Sequence, residues 1–144
     1  MVGVCFLSEH RGWMQDQWSW VFSNFGVSDI WERQSDHDGV RGKDGSIYQP
    51  TIKVDTAADL PRDRPLVVLQ PPDGRFIKGE TSLKDFVHPA DAIYFFGGSH
   101  AVLSDDDMGG RIPEHLVYIP TVKLECHSFS AAYMVLWDRY VKGV

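Results

Sequence analysis

The sequence predicts an α/β fold, a mostly parallel sheet with helices on both faces. Three observations predict it. Short, continuous apolar runs recur at residues 2–7, 66–69 and 92–96, the pattern of strands buried on both faces. Two longer stretches, 12–26 and 128–142, carry apolar residues at helical spacing. Strands alternating with helices argue for parallel pairing with both faces covered. The chain has 144 residues, 43% hydrophobic and 12% aromatic. That suits one domain over 1–144, with a core that needs no disulfide or metal staples.

The elements follow in order. Residues 2–7 read as a first strand. This apolar run is short, with no basic flank before it and no small-residue cleavage site after it, so it does not read as a signal peptide. In 12–26, Trp18, Phe22 and Phe25 fall at i, i+4 and i+7, one face of a helix, and Gly26 suits the position just past its end. Residues 27–32 suggest a short strand through Val27, Ile30 and Trp31. Residues 34–46 hold three glycines and two Asp-Gly pairs, which is loop chemistry. Residues 47–54 alternate partly and read as a strand broken at Pro50. Leu66–Leu69 is a compact buried strand, and Pro71-Pro72-Asp73-Gly74 a turn. Residues 81–87 suggest a short helix capped by Thr81 or Ser82 and stopped before Pro89. Residues 92–96 and 116–119 are core strands. Asp105-Asp106-Asp107 reads as solvated loop. The final helix, 128–142, puts Ser128, Ala132, Val135, Leu136 and Arg139 on one stripe, which fits either a core face or a subunit interface.

Charge and cysteine content exclude some classes. The net charge is −6, which argues against a large nucleic-acid footprint but leaves room for a local patch. Basic residues bunch at Arg33, Arg41 and Lys43, at Arg62 and Arg64, and at Arg75 and Lys78. Each bunch also fits solvated loop charges. Cys5 and Cys126 are too few and too far apart for a disulfide framework, which fits a reducing cytoplasm and ordinary buried thiols. No stretch approaches the roughly 20 apolar residues that span a bilayer. His37 between two aspartates, and the run 105–107, match no zinc or calcium ligand spacing, so no metal is expected.

Chemistry is expected at strand ends. Glycine lets backbone approach a ligand closely, and open α/β sheets bind ligands outside the carboxyl ends of their strands. Phe96-Gly97-Gly98-Ser99-His100 is the densest glycine signal after a strand. Tyr118-Ile119-Pro120-Thr121 is a second strand end, and it leads into the final helix.

These phrases resemble, in order and spacing, the motifs of SpoU-type methyltransferases of the SPOUT superfamily, in a divergent and minimal form. The family has a strand ending Phe-Gly-Asn-Glu-Gly-x-Gly-Leu-Ser; residues 96–104 here align with it ungapped. It then has Ile-Pro-Met, a loop, Ser-Leu-Asn-Val-Ser and an alanine-rich helix. This chain has Ile119-Pro120-Thr121, then Leu124-Glu125-Cys126-His127-Ser128 and Phe129-Ser130-Ala131-Ala132. The family's first motif ends Phe-Gly-Val, like Phe25-Gly26-Val27. The resemblance is densest over 92–140.

The resemblance implies a C-terminal trefoil knot, with S-adenosylmethionine bound bent in the knot's loops. It implies a cofactor pocket of Phe96, Gly97 and Gly98, with Ile119, Pro120 and Thr121. Leu69 and Gln70 would form a third wall, and Leu124 and Ser128 would close the adenine side. It implies methyl transfer to RNA, of the ribose 2′-O type, by a cytoplasmic homodimer. The family's motif arginine, glutamate and asparagine align with Trp20, Ser99 and Cys126, and Trp20 cannot hold a phosphate as arginine does. Arg11 is the candidate to replace it. His100 and His127 are candidate bases near neutral pH. The alternative is a non-catalytic knotted module that binds cofactor or RNA and has lost those polar groups.

Overall fold

The computed structural model describes residues 1–7, 12–34, 39–41, 47–70, 80–97, 103–120 and 128–144. Nine strands and three helices run through them: β1 (Gly3–Leu7), α1 (Gly12–Phe25), β2 (Asp29–Arg33), β3 (Gly39–Arg41), β4 (Ile47–Pro50), β5 (Ile52–Val54), β6 (Leu66–Leu69), β7 (Glu80–Ser82), β8 (Ile93–Phe95), α2 (Asp105–Met108), β9 (His115–Tyr118) and α3 (Ser128–Val141). Single 3-10 turns stand at Ala57–Asp59 and Leu83–Asp85.

Seven strands form one sheet in the order β5-β2-β1-β8-β6-β9-β7, and every neighbouring pair in it is parallel. The apolar runs become its centre because parallel strands covered on both faces need apolar side chains in both directions. Successive residues therefore feed two cores. Val4, Phe6, Val67, Leu69, Tyr94, Phe96 and Val117 face α1 and α3. Cys5, Leu66, Val68, Ile93 and Phe95 face the other side, with Ala57, Leu60, Leu103 and Met108.

On the first face, Trp18 and Phe22 of α1 lie under β1, with Phe6 ring centroids 4.7 and 5.6 Å away. The end of α1 follows from its sequence. Gly26 takes φ +63°, the Val27 amide donates to the Phe22 carbonyl at 2.9 Å and the Gly26 amide to Ser23 at 3.4 Å. This is the Schellman pattern, with Val27 and Phe22 as its apolar contact. The α3 stripe packs inward: Ala132, Val135 and Leu136 are buried in the same core. That decides between the two readings of the stripe in favour of the core. The outward side of α3 carries Tyr133, Trp137, Tyr140 and Val141 instead.

Three expectations are corrected. The loop at 34–46 contains β3, which pairs antiparallel with β4 as a separate two-stranded ribbon; its strand character comes from β4's hydrogen bonds, not from apolar alternation. The helix expected at 81–87 is only one 3-10 turn after Ser82, because Thr81 is already paired with Val117 in the sheet. The aspartate run is helix rather than loop: it forms the first turn of α2, with Asp105 and Asp106 exposed, while the Asp107 carboxylate accepts from the Ser104 amide at 2.7 Å and its hydroxyl at 3.0 Å.

Candidate functional site

The pairing register brings Leu69, Gln70, Phe96, Gly97 and Ile119 of the expected pocket to one edge. Val68 lies opposite Phe95 and Leu69 opposite Val117, while Cys5 lies opposite Phe95. The next residues, Phe6, Phe96 and Leu69, thus form a row with Val117 at the carboxyl ends of β1, β8, β6 and β9. Gly97 and Gln70 are one step beyond this row, and Ile119 is two. The chain leaves β1 towards α1 on one face and β8 towards α2 on the other. Neighbouring strands whose connections diverge in this way open a crevice at their carboxyl ends.

The described wall residues have defined settings. Leu69 is buried in the α1–α3 core, and Ile119 packs against that core while staying partly accessible. The Gln70 amide extends the sheet to the Val117 carbonyl at 3.1 Å, and its side chain donates to Glu80 Oε1 at 2.5 Å. The Phe96 ring meets Trp18, centroids 5.8 Å apart. Its amide donates to the Cys5 carbonyl at 3.0 Å. Pro120 is exposed, and Ser128 is buried at the first turn of α3. Gly98, Thr121 and Leu124, and all three catalytic candidates, Arg11, His100 and His127, lie outside the described residues, as do Ser99 and Cys126. Trp20 points away from the core on α1, 60% exposed.

Sequence reasoning missed the most unusual side chain at this edge. Arg33, grouped above with loop charges, is 1% exposed. It ends β2 opposite Leu7 of β1 and its guanidinium reaches to β8. One nitrogen donates to the Phe96 carbonyl at 2.9 Å, another to Asp107 Oδ1 at 2.8 Å, and its Cζ lies 4.4 Å from the Phe95 ring centroid. Burial works to raise the Asp107 carboxyl. The hydrogen bonds from Ser104, with the charge and hydrogen bond of Arg33, outweigh it and hold the group below its ordinary value. Burial pushes the Cys5 thiol up to about 12 despite the neighbouring Arg33, so this cysteine is a packed thiol rather than a nucleophile. Arg64 is likewise structural, binding Asp29, the Met1 carbonyl and the Asp91 carbonyl. Asp29, Glu32 and Arg33 make β2 a strand of mostly charged residues, so no local pattern set Arg33 apart from a solvated charge.

Among the described residues, no group of three or more His, Cys, Asp or Glu could hold a metal ion, and no helix is long and apolar enough to cross a membrane. No family model and no curated protein sequence matches the chain. Solved structures do. TrmJ from Z. mobilis ZM4 superposes with a TM-score of 0.77 at 14% identity, covering 100% of this chain and 70% of that one. An AdoMet-bound rRNA methyltransferase from Sinorhizobium meliloti gives 0.72 at 14%, covering 99% and 57%. The A. aeolicus TrmH/SpoU tRNA modifying enzyme gives 0.70 at 13%, covering 99% and 77%. The seven-stranded parallel sheet and its flanking helices therefore share the fold of these SpoU/TrmH-type structures.

Proposed function

We propose that this chain is an S-adenosylmethionine-dependent methyltransferase that acts on RNA at a ribose 2′-hydroxyl. The observation that carries the proposal is the row of strand ends, β6, β8 and β9, in a fold shared with an AdoMet-bound rRNA methyltransferase. The described wall suits the cofactor's adenosine. Ile119 and Pro120 offer accessible apolar surface beside buried Leu69, and Gly97 follows buried Phe96 with no side chain of its own. Ligand sites of this kind are mostly apolar with a few placed backbone groups. Leu69, Gln70, Phe96, Gly97, Gly98, Ile119, Pro120, Thr121, Leu124 and Ser128 are the proposed binding residues.

When bound, the cofactor supplies a methyl group on a sulfonium, which needs no metal. The chain's part is to orient the accepting hydroxyl, take up its proton and hold the adjoining phosphate. Arg11 is proposed for the phosphate and His100 or His127 for the proton.

We also infer a single knotted domain, cytoplasmic and homodimeric. The dimer reading now rests on the outward side of α3 rather than its inward stripe. Trp137 is 57% and Tyr140 74% exposed there, with Tyr133 edge-on to Phe25, centroids 5.0 Å apart. A cluster of large apolar side chains on a monomer's surface marks an interaction site. Light scattering at micromolar concentration should give twice the chain mass, and Trp137→Glu should give a monomer.

Calorimetry with S-adenosylmethionine and S-adenosylhomocysteine, followed by transfer of labelled methyl to pooled RNA, tests the activity. Binding and transfer support it. No binding at millimolar ligand refutes it, and binding without transfer to any RNA points to the non-catalytic module.

A further inference from the structure

Arg33 is the one side chain in the described carboxyl edge that touches both ends of the β8–α2 connection. It holds the Phe96 carbonyl on the entering side and Asp107 on the leaving side. Asp107 in turn holds the Ser104 amide. To reach β8 from β2 the side chain must cross β1, which lies between them in the sheet. Two strand spacings are about 9.6 Å, which takes an extended arginine side chain together with its 2.9 Å hydrogen bond. The crossing passes beside Cys5, which shares a face of the sheet with Arg33 and lies within hydrogen-bond reach of it. A buried guanidinium is costly to desolvate unless its donors are matched; both terminal nitrogens are matched here while Nε has no hydrogen bond among the described residues, so these two bonds constrain the groups they reach. Here those groups are the backbone of the proposed cofactor wall and the cap of the helix that follows it.

We propose that Arg33 is a positioning residue for cofactor binding, acting through the Phe96 carbonyl and Asp107 to set the backbone at Phe96–Gly97. It does not touch the cofactor. Its planar fork fixes the carbonyl and the carboxylate in one plane, which a lysine ammonium cannot do. The inference rests on the reading that this strand end lines the cofactor pocket.

The test compares Arg33→Met and Arg33→Lys with Arg111→Met. Arg111 is a buried arginine that binds the carbonyls of Ala57, Leu60 and Arg64, away from this edge. Each protein is measured for thermal melting, for S-adenosylhomocysteine affinity well below its melting point, and for amide hydrogen exchange at Phe96–Gly97 without ligand. Arg33→Met should weaken binding at least tenfold and speed exchange at Phe96–Gly97 at least tenfold. Arg33→Lys should fall between it and the unaltered protein. Arg111→Met, even if it melts as early, should bind within twofold of the unaltered protein. If affinity merely follows melting temperature across the three variants, Arg33 is a structural residue and the inference fails. It also fails if exchange at Phe96–Gly97 is unchanged, whatever the cofactor does. Should Arg33→Met not fold, Asp107→Asn replaces it: weakened binding with faster exchange supports the inference, and no change in either overturns it. An unaltered protein that binds neither cofactor form overturns the cofactor reading, and the inference with it, a result distinct from unaltered affinity in a folded Arg33→Met.

Discussion

Gly109→Ala tests how the second face of the sheet is assembled. Gly109 ends α2 with φ +58° and donates to the Asp105 carbonyl at 3.2 Å. A Cβ built there would overlap Thr56 Oγ1 and lie 2.9 Å from Thr56 Cβ and 3.1 Å from Ala58 Cβ. Two costs follow. The left-handed backbone costs an L-residue about 1–2 kcal/mol. Displacing Thr56 breaks its cap, in which Oγ1 accepts from the Ala58 amide at 3.2 Å, and a lost cap costs about 1 kcal/mol. The sum is roughly 2–3 kcal/mol, and at about 3 °C per kcal/mol for a chain of this size the melting point should fall by roughly 6–9 °C. Urea unfolding of a thermodynamic cycle separates the two costs. Glycine is nearly as good a cap as threonine, so Thr56→Gly alone should cost only a few tenths of a kcal/mol. In that background Gly109→Ala should cost only the backbone part, about 1 kcal/mol less than in the unaltered chain. Full additivity of the two substitutions would refute the contact between α2 and the 3-10 turn after Thr56.

Three further outcomes are expected. His88 is buried between Tyr94 Oη at 2.6 Å and Asp138 Oδ2 at 2.7 Å, and burial lowers its pKa below 6.5 against the pull of Asp138. The folded state then binds fewer protons than the unfolded one, so the His88 contribution is complete above pH 6.5 and declines as pH falls below it. Urea midpoints from pH 7.5 to 5.5 should show that decline, and His88→Gln should lack it; equal slopes in the two proteins would contradict the assignment. Leu136→Ala should cost about 3 kcal/mol, as full burial in the core demands, and a loss under about 1 kcal/mol by urea unfolding would mean that the stripe does not face the sheet. Gly97→Val should abolish S-adenosylhomocysteine binding in calorimetry while the protein still melts cooperatively, and retained affinity would place the pocket elsewhere.

Much of this was legible in the residues alone. Leu66–Leu69 and 92–96 were legible without tertiary knowledge, since apolar runs four or five residues long, too short for a helix and flanked by proline or glycine, suit a strand covered on both faces. The spacing of Trp18 and Phe22, with Gly26 after Phe25, marked both the buried face of α1 and its end. The motif order over 96–128 pointed to the fold shared with the SpoU/TrmH structures. Tertiary structure alone decided the rest. β3 and β7 are strands because β4 and β9 supply hydrogen bonds, which no local pattern encodes. The α3 stripe was compatible with two destinations, and only its packing against the sheet selected the core. Arg33 and Asp107 stand 74 positions apart, and each alone reads as a solvated charge. Their meaning comes from the β2-β1-β8 order, which brings one strand end within arginine's reach of another. The physical reason is general: periodicity reports which side of an element is buried, whereas charge pairing depends on what the fold places opposite.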